Sequence, residues 1–246
     1  MSSAHAPDLT SRILRRERRV VAGGLALLAL LSWWYLLAGG GMRDSMPAMR
    51  EPPFGALVLM WWLMMVAMML PSAAPAVLLY GKVREMRNRD ACIAETWMFL
   101  GGYLGVWLVF SVAAALAQRF GTGSSMMLGN RVAQGTVLLL AGVYQLSPLK
   151  NACLGECRSP AAFISRHWRP GRDGAVLLGV RHGVYCLGCC WILMTLLFVG
   201  GIMNLLWIVG LTLIVAAEKL APRGPLIGRA AGVVLAVWGV AKIAGY

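Results

Sequence analysis

Apolar residues in this chain gather into runs of roughly twenty, the length an α-helix needs to cross a hydrocarbon core of about 30 Å. Seven such runs, at 20–38, 54–80, 91–117, 132–147, 175–199, 202–220 and 226–245, are separated by short polar or basic segments. They predict an all-α, polytopic membrane helix bundle, a single membrane domain over 1–246 with residues 1–19 as a tail. Strands of a transmembrane barrel would alternate apolar and polar residues, and these runs do not. The first run could pass for a signal peptide, but it is 19 residues long and closes on Trp33, Trp34 and Tyr35. A signal peptide has only about 7–15 apolar residues before its cleavage site, so the run reads as a retained anchor with an aromatic belt. Residues 175–220 form one largely apolar stretch of 46 residues, about 69 Å if helical and too long for one crossing. Gly200 and Gly201 are the predicted hairpin. Ser147 and Pro148 read as the N-cap and first position of a short helix running to Arg158.

The composition sharpens this picture. Hydrophobic residues make up 59% and charged residues 13%, where soluble chains carry roughly 25% charged residues, so a soluble enzyme, a coiled coil, a disordered tail and a disulfide-rich secreted domain are excluded. The net charge of +13 would point to nucleic acid in a soluble chain; here it reports topology. With the N-terminus inside, 17 of the 23 basic residues fall on the inner side and 5 outside, with Arg181 inside the fifth span. That bias places the N-terminus in the cytoplasm and makes the lipid bilayer, not nucleic acid, the partner.

Three sulfur patterns ask for a chemical explanation. In the second span Met60, Met64 and Met68 recur every four residues, flanked by Met65 and Met69, so the first three share a helix face; Met64 lies about 15 Å deep. In the fifth span His182, Cys186, Cys190 and Met194 form a stripe of the same spacing, with Cys189 beside it and Gly188 allowing close approach. Cys186 lies about 17 Å deep, level with Met64 and Met68, which predicts that the two stripes face each other. Cys153 and Cys157 form a separate pair on the short helix after the fourth span, at the cytoplasmic boundary. Met42, Met46 and Met49 precede the second span. Pro71 and Pro75 predict a kink and freed carbonyls in its inner half, Trp61, Trp62 and Trp191 are expected to pack, and Lys219 is counted among the inner basic residues.

Thiolate and thioether donors suit monovalent copper, whereas magnesium, calcium or manganese want oxygen, and a zinc or manganese transporter is expected to carry carboxylates along its path. Cu(I) is therefore the expected ion. Zn(II) held by Cys186, Cys189, Cys190 and His182 in a closed tetrahedral site is the alternative, and it leaves the methionine ladder unexplained. The strings at 60–71, 144–160 and 183–191 resemble the bacterial family of predicted metal-binding integral membrane proteins. The resemblance implies a multi-pass protein of the bacterial inner membrane with a role in copper or metal handling. The leading expectation is a Cu(I)-binding membrane protein, more a binder than an enzyme, for copper transport or delivery, with a metallochaperone or cuproenzyme as partner. The competing ones are a membrane thiol-disulfide oxidoreductase and a non-catalytic assembly subunit.

Overall fold

Proline and glycine decide where the apolar runs break, and those breaks place the later helices. The computed structural model describes residues 9–38, 52–87, 92–121 and 127–245. Among them the chain forms ten helical segments and no strand: α1 (Leu9–Leu37), α2 (Phe54–Arg87), α3 (Cys92–Gly121), α4 (Arg131–Leu146), α5 (Pro148–Arg158), α6 (Pro160–His167), α7 (Gly171–Thr195), α8 (Leu197–Gly200), α9 (Leu205–Leu220) and α10 (Gly224–Ile243). The all-α bundle is as the hydropathy pattern predicts. Met42, Met46 and Met49 lie outside the described residues.

Among the described residues five helices are long and apolar enough to cross a membrane, and a sixth span results if α4 and α5, bent by 63° at their junction, count as one. The run at 202–220 becomes α9, only 16 residues and about 24 Å long. Its late start follows from the hairpin. Gly201 takes φ 95, a left-handed conformation that glycine adopts without steric cost. Gly200 lies under the Trp207 ring, whose Nε1 donates to Leu196 O at 2.8 Å. Asn204 then caps α9 through its side chain.

Close helix approach is set by glycine, whose bare backbone lets neighbouring helices come together. A Cβ on Gly102 or Gly179 would run into the backbone of α7 or α3 respectively, and Gly135, Gly142, Gly232 and Gly239 bring α4 and α10 together backbone to backbone. At the centre lies α2, which touches α1, α3, α6 and α9 and buries Met60, Met64, Met65, Met68 and Met69. Pro71 has no N–H to offer the carbonyl of Ala67, one helical turn earlier. The Trp33 indole of α1 takes that role, donating to Ala67 O at 3.1 Å. The tryptophans expected only to pack therefore also donate: Trp62 Nε1 to Leu104 O at 3.1 Å and Trp61 Nε1 to Gln118 Oε1 at 2.7 Å.

Candidate metal site

The site is built from α7 outward. Cys186, Cys189 and Cys190 sit mid-helix, each only 1% exposed. The i, i+3, i+4 spacing puts them on one side of α7, and Cys189 and Cys190 turn their thiols back along the helix, donating to Cys186 O at 3.1 and 2.8 Å. Cys186 Sγ, free of that arrangement, faces the neighbouring helices.

Four elements converge on this face. From α3, the Tyr103 hydroxyl lies 3.2 Å from Cys186 Sγ. From α2, Met69 Sδ lies 3.7 Å from Cys190 Sγ. From α9, Lys219 reaches in: its Nζ lies 3.0 Å from Cys186 Sγ, 3.3 Å from Ser72 Oγ and 3.9 Å from Met69 Sδ. From α5, Cys157 Sγ lies 4.0 Å from Cys189 Sγ. Ser72 is held in turn by donating to Met69 O at 2.9 Å.

Two features go beyond the sequence expectation. Met69, which flanks the ladder, lies against the thiols, while Met60, Met64, Met68 and Met194 are buried in the same core. The Cys153–Cys157 pair, expected as a separate feature at the cytoplasmic boundary, joins the fifth-span cluster. Ser147 caps α5 as predicted, its Oγ accepting from Lys150 N at 3.2 Å, and the bend lays α5 against α7. Gly188 permits this contact: a Cβ there would sit 2.8 Å from Cys153 Sγ, and the Gly188 carbonyl accepts from the Tyr144 hydroxyl at 2.5 Å.

Lys219 is the residue that sequence reasoning misplaced. Its position near the end of an apolar run suggested an inner-surface lysine, yet it is only 7% exposed and turned toward sulfur. The neighbouring carboxylate is occupied elsewhere: Glu218 accepts from Lys150 Nζ at 2.6 Å and from Gln145 Nε2 at 2.7 Å, and Lys150 also donates to Gln145. Arg158 Nη1 donates to the backbone oxygen of Glu218 at 2.6 Å. The alternation of Glu218 and Lys219 thus sends one charge toward α5 and the other toward the thiols. Glu95 likewise has its own partner, Arg84.

His182, one turn from Cys186, is buried among Phe99, Tyr103 and Phe163 at ring distances of 6.0, 5.8 and 5.2 Å, and its Nδ1 has no hydrogen-bond partner. Among the described residues no three His, Cys, Asp or Glu side chains converge, as they stand, into a cage for a metal ion. The alternative tetrahedral set of Cys186, Cys189, Cys190 and His182 is therefore not preassembled. What is preassembled is a pocket-like grouping of sulfur side chains from α2, α5 and α7, chemistry that suits a soft monovalent ion.

No curated protein and no solved structure matches the chain. Residues 58–242, a stretch that takes in every side chain of this pocket, match the PpoB2 family, described as copper chaperone, and the chain belongs to that family.

Proposed function

We propose that the protein is an integral membrane copper chaperone that holds Cu(I) at the α2–α5–α7 sulfur pocket and passes it to a cuproenzyme or a second metallochaperone. The observation that carries this reading is the approach of Met69 and the half-buried Cys157 to the buried thiols of Cys186, Cys189 and Cys190, from three helices of a chain of the copper chaperone family. Cu(I) is satisfied by two or three soft ligands, and a thiol with a thioether 3.7 Å away needs only small side-chain rotations to share it. Cys186 and Cys190 with Met69 are the proposed first holders. Cys157 and Cys189 offer a second pair, and His182 stands one turn toward the inner end. Met60, Met64, Met68 and Met194 are proposed as thioether steps through the core, and Cys153 as support for the α5–α7 contact. The five apolar helices among the described residues support placement in a membrane, and the sequence's resemblance to a bacterial membrane family supports the bacterial inner membrane as the proposed location. A thiol-disulfide oxidoreductase would need its central cysteines open to a partner, and Cys186, Cys189 and Cys190, each 1% exposed, favour the metal-binding reading.

The test is metal analysis of the purified, reduced protein beside a Cys186→Ser, Cys189→Ser, Cys190→Ser triple variant. The wild type is expected to retain Cu(I) in preference to Zn(II), and the triple variant to lose most of it, because metal affinity rests on the ionisable sulfur ligands. Equal copper in both proteins sinks the assignment, and stoichiometric zinc without copper moves it to a closed zinc site.

A further inference from the structure

A lysine packed against sulfur in the interior of an apolar bundle calls for a reason. Burying a cation costs several kcal/mol unless it is paired, and the ordinary solution at a helix end is to let the flexible stem carry the ammonium out to water. Lys219 has that route open, being the penultimate residue of α9. It turns inward instead, to Cys186 Sγ, Ser72 Oγ and Met69 Sδ. The partners of this ammonium are the soft donors of the pocket with one hydroxyl, which is the environment of a bound cation.

Resting on the Cu(I) reading of the pocket, we propose that the ammonium of Lys219 occupies the ion's own place when the pocket is empty and competes with Cu(I) for it. Cys186 and Met69 cannot hold both cations at bonding distance. Entry of Cu(I) therefore displaces the Lys219 side chain toward the inner end of α9, where its flexible stem can carry the ammonium toward water. The return of Lys219 supplies the counter-move. As the ammonium swings back onto Cys186 Sγ it offsets part of the cost of breaking the Cu–S bonds and leaves the vacated pocket neither uncharged on one side nor open to water. A chaperone must release its cargo as well as hold it, and a tethered cation gives release without a second ligand.

The competition also accounts for the absence of a ready three-donor cage among the described residues. With the place held by Lys219, Cys189 and Cys190 have no ion to turn toward, and both rest on Cys186 O. Lys219 on this account is a positioning residue that acts on the ligands and not on the copper.

The experiment follows release. Full-length wild type and Lys219→Leu, an uncharged side chain that offers copper no donor, are loaded with Cu(I) in detergent, and transfer to the soluble chelator bathocuproine disulfonate is followed by absorbance. The expected result is the same copper stoichiometry and a release rate lower by about tenfold in Lys219→Leu, since differences within one binding site fall mainly on the off-rate. Lys219→Gln serves as the second variant and is expected to behave alike. The direction discriminates: damage to the fold speeds release, and only removal of a competitor slows it. Unchanged or faster release in both variants overturns the proposal while leaving the copper site intact. A wild type that takes up no Cu(I) overturns the reading of the pocket and this inference with it.

Discussion

Met69 shows what residue spacing can and cannot decide. A repeat of four tells which methionines of α2 share a face, and for a half-buried helix that face would be the one turned to the core. In α2 the distinction fails, because neighbours lie on several sides and Met60, Met64, Met65, Met68 and Met69 are all 2% exposed or less. The face that meets α7 holds Met69, one residue beyond the ladder and two before Pro71. Lys219 illustrates the same limit from the polar side: its residue type and place in the run describe an ordinary inner-surface lysine, and only the packing of α9 on α2 turns it inward. Cys186, Cys189 and Cys190 were legible because three thiols within five positions of an apolar run have few other uses. The consequence for copper is specific. Met69→Leu removes the thioether beside Cys190 at nearly constant volume, a change that costs less than about 1.5 kcal/mol of stability. It is expected to weaken Cu(I) retention by roughly 10- to 100-fold, the range for groups that support a metal site. Met64→Leu is expected to leave retention within a small factor of wild type. Chelator competition on the two variants gives the answer, and a larger loss in Met64→Leu would return the site to the ladder.

At the scale of elements, the short helix α5 carries the surprise. Its boundaries were readable from Ser147, Pro148 and Arg158, since capping and proline preference are local effects. Its docking was not, because packing against α7 depends on the 63° bend after α4 and on the bare backbone at Gly188, and neither leaves a periodic trace. What secures α5 is a buried pair: Lys150 and Glu218, 1% and 2% exposed and 2.6 Å apart, join α5 to α9, with Gln145 of α4 bonded to both. Removing one member of such a pair strands the other charge in an apolar interior, at a cost of about 3–5 kcal/mol. Lys150→Met and Glu218→Leu are each expected to lower the unfolding midpoint in detergent and to reduce Cu(I) retention, because α5 carries Cys157. The double variant is expected to lose clearly less than the sum of the two, as the stranded charge is gone. Additive losses would mean that the pair does not tie α5 to α9.

Across the whole molecule the polar contacts sort into two groups. One gathers Arg84 with Glu95, Arg87 over the Trp168 ring at 4.7 Å, and Arg158 with the backbone oxygens of Glu218 and Pro222. The other gathers Trp61 with Gln118, Leu128 N with Phe198 O, and Lys242 with Gln134 at 2.5 Å. The sequence assigns the first group to the basic side of the membrane and the second to the opposite side, and the folded chain brings together ends that this assignment placed on a common side. The charge bias predicts that the first group is cytoplasmic. Single cysteines placed on the two groups test this without disturbing the pocket. Ser165, next to Arg166 and exposed, marks the first end; Gly129, exposed and with open space for a Cβ, marks the second. Because the native thiols of the pocket are buried or half-buried, a membrane-impermeant maleimide is expected to label Gly129→Cys in intact cells well above wild type, and Ser165→Cys only in inside-out vesicles. The reverse pattern would invert the molecule in the membrane. It would also turn the α9 end that releases Lys219 outward, so that copper held on Cys186 would be handed to a partner beyond the cytoplasm and not within it.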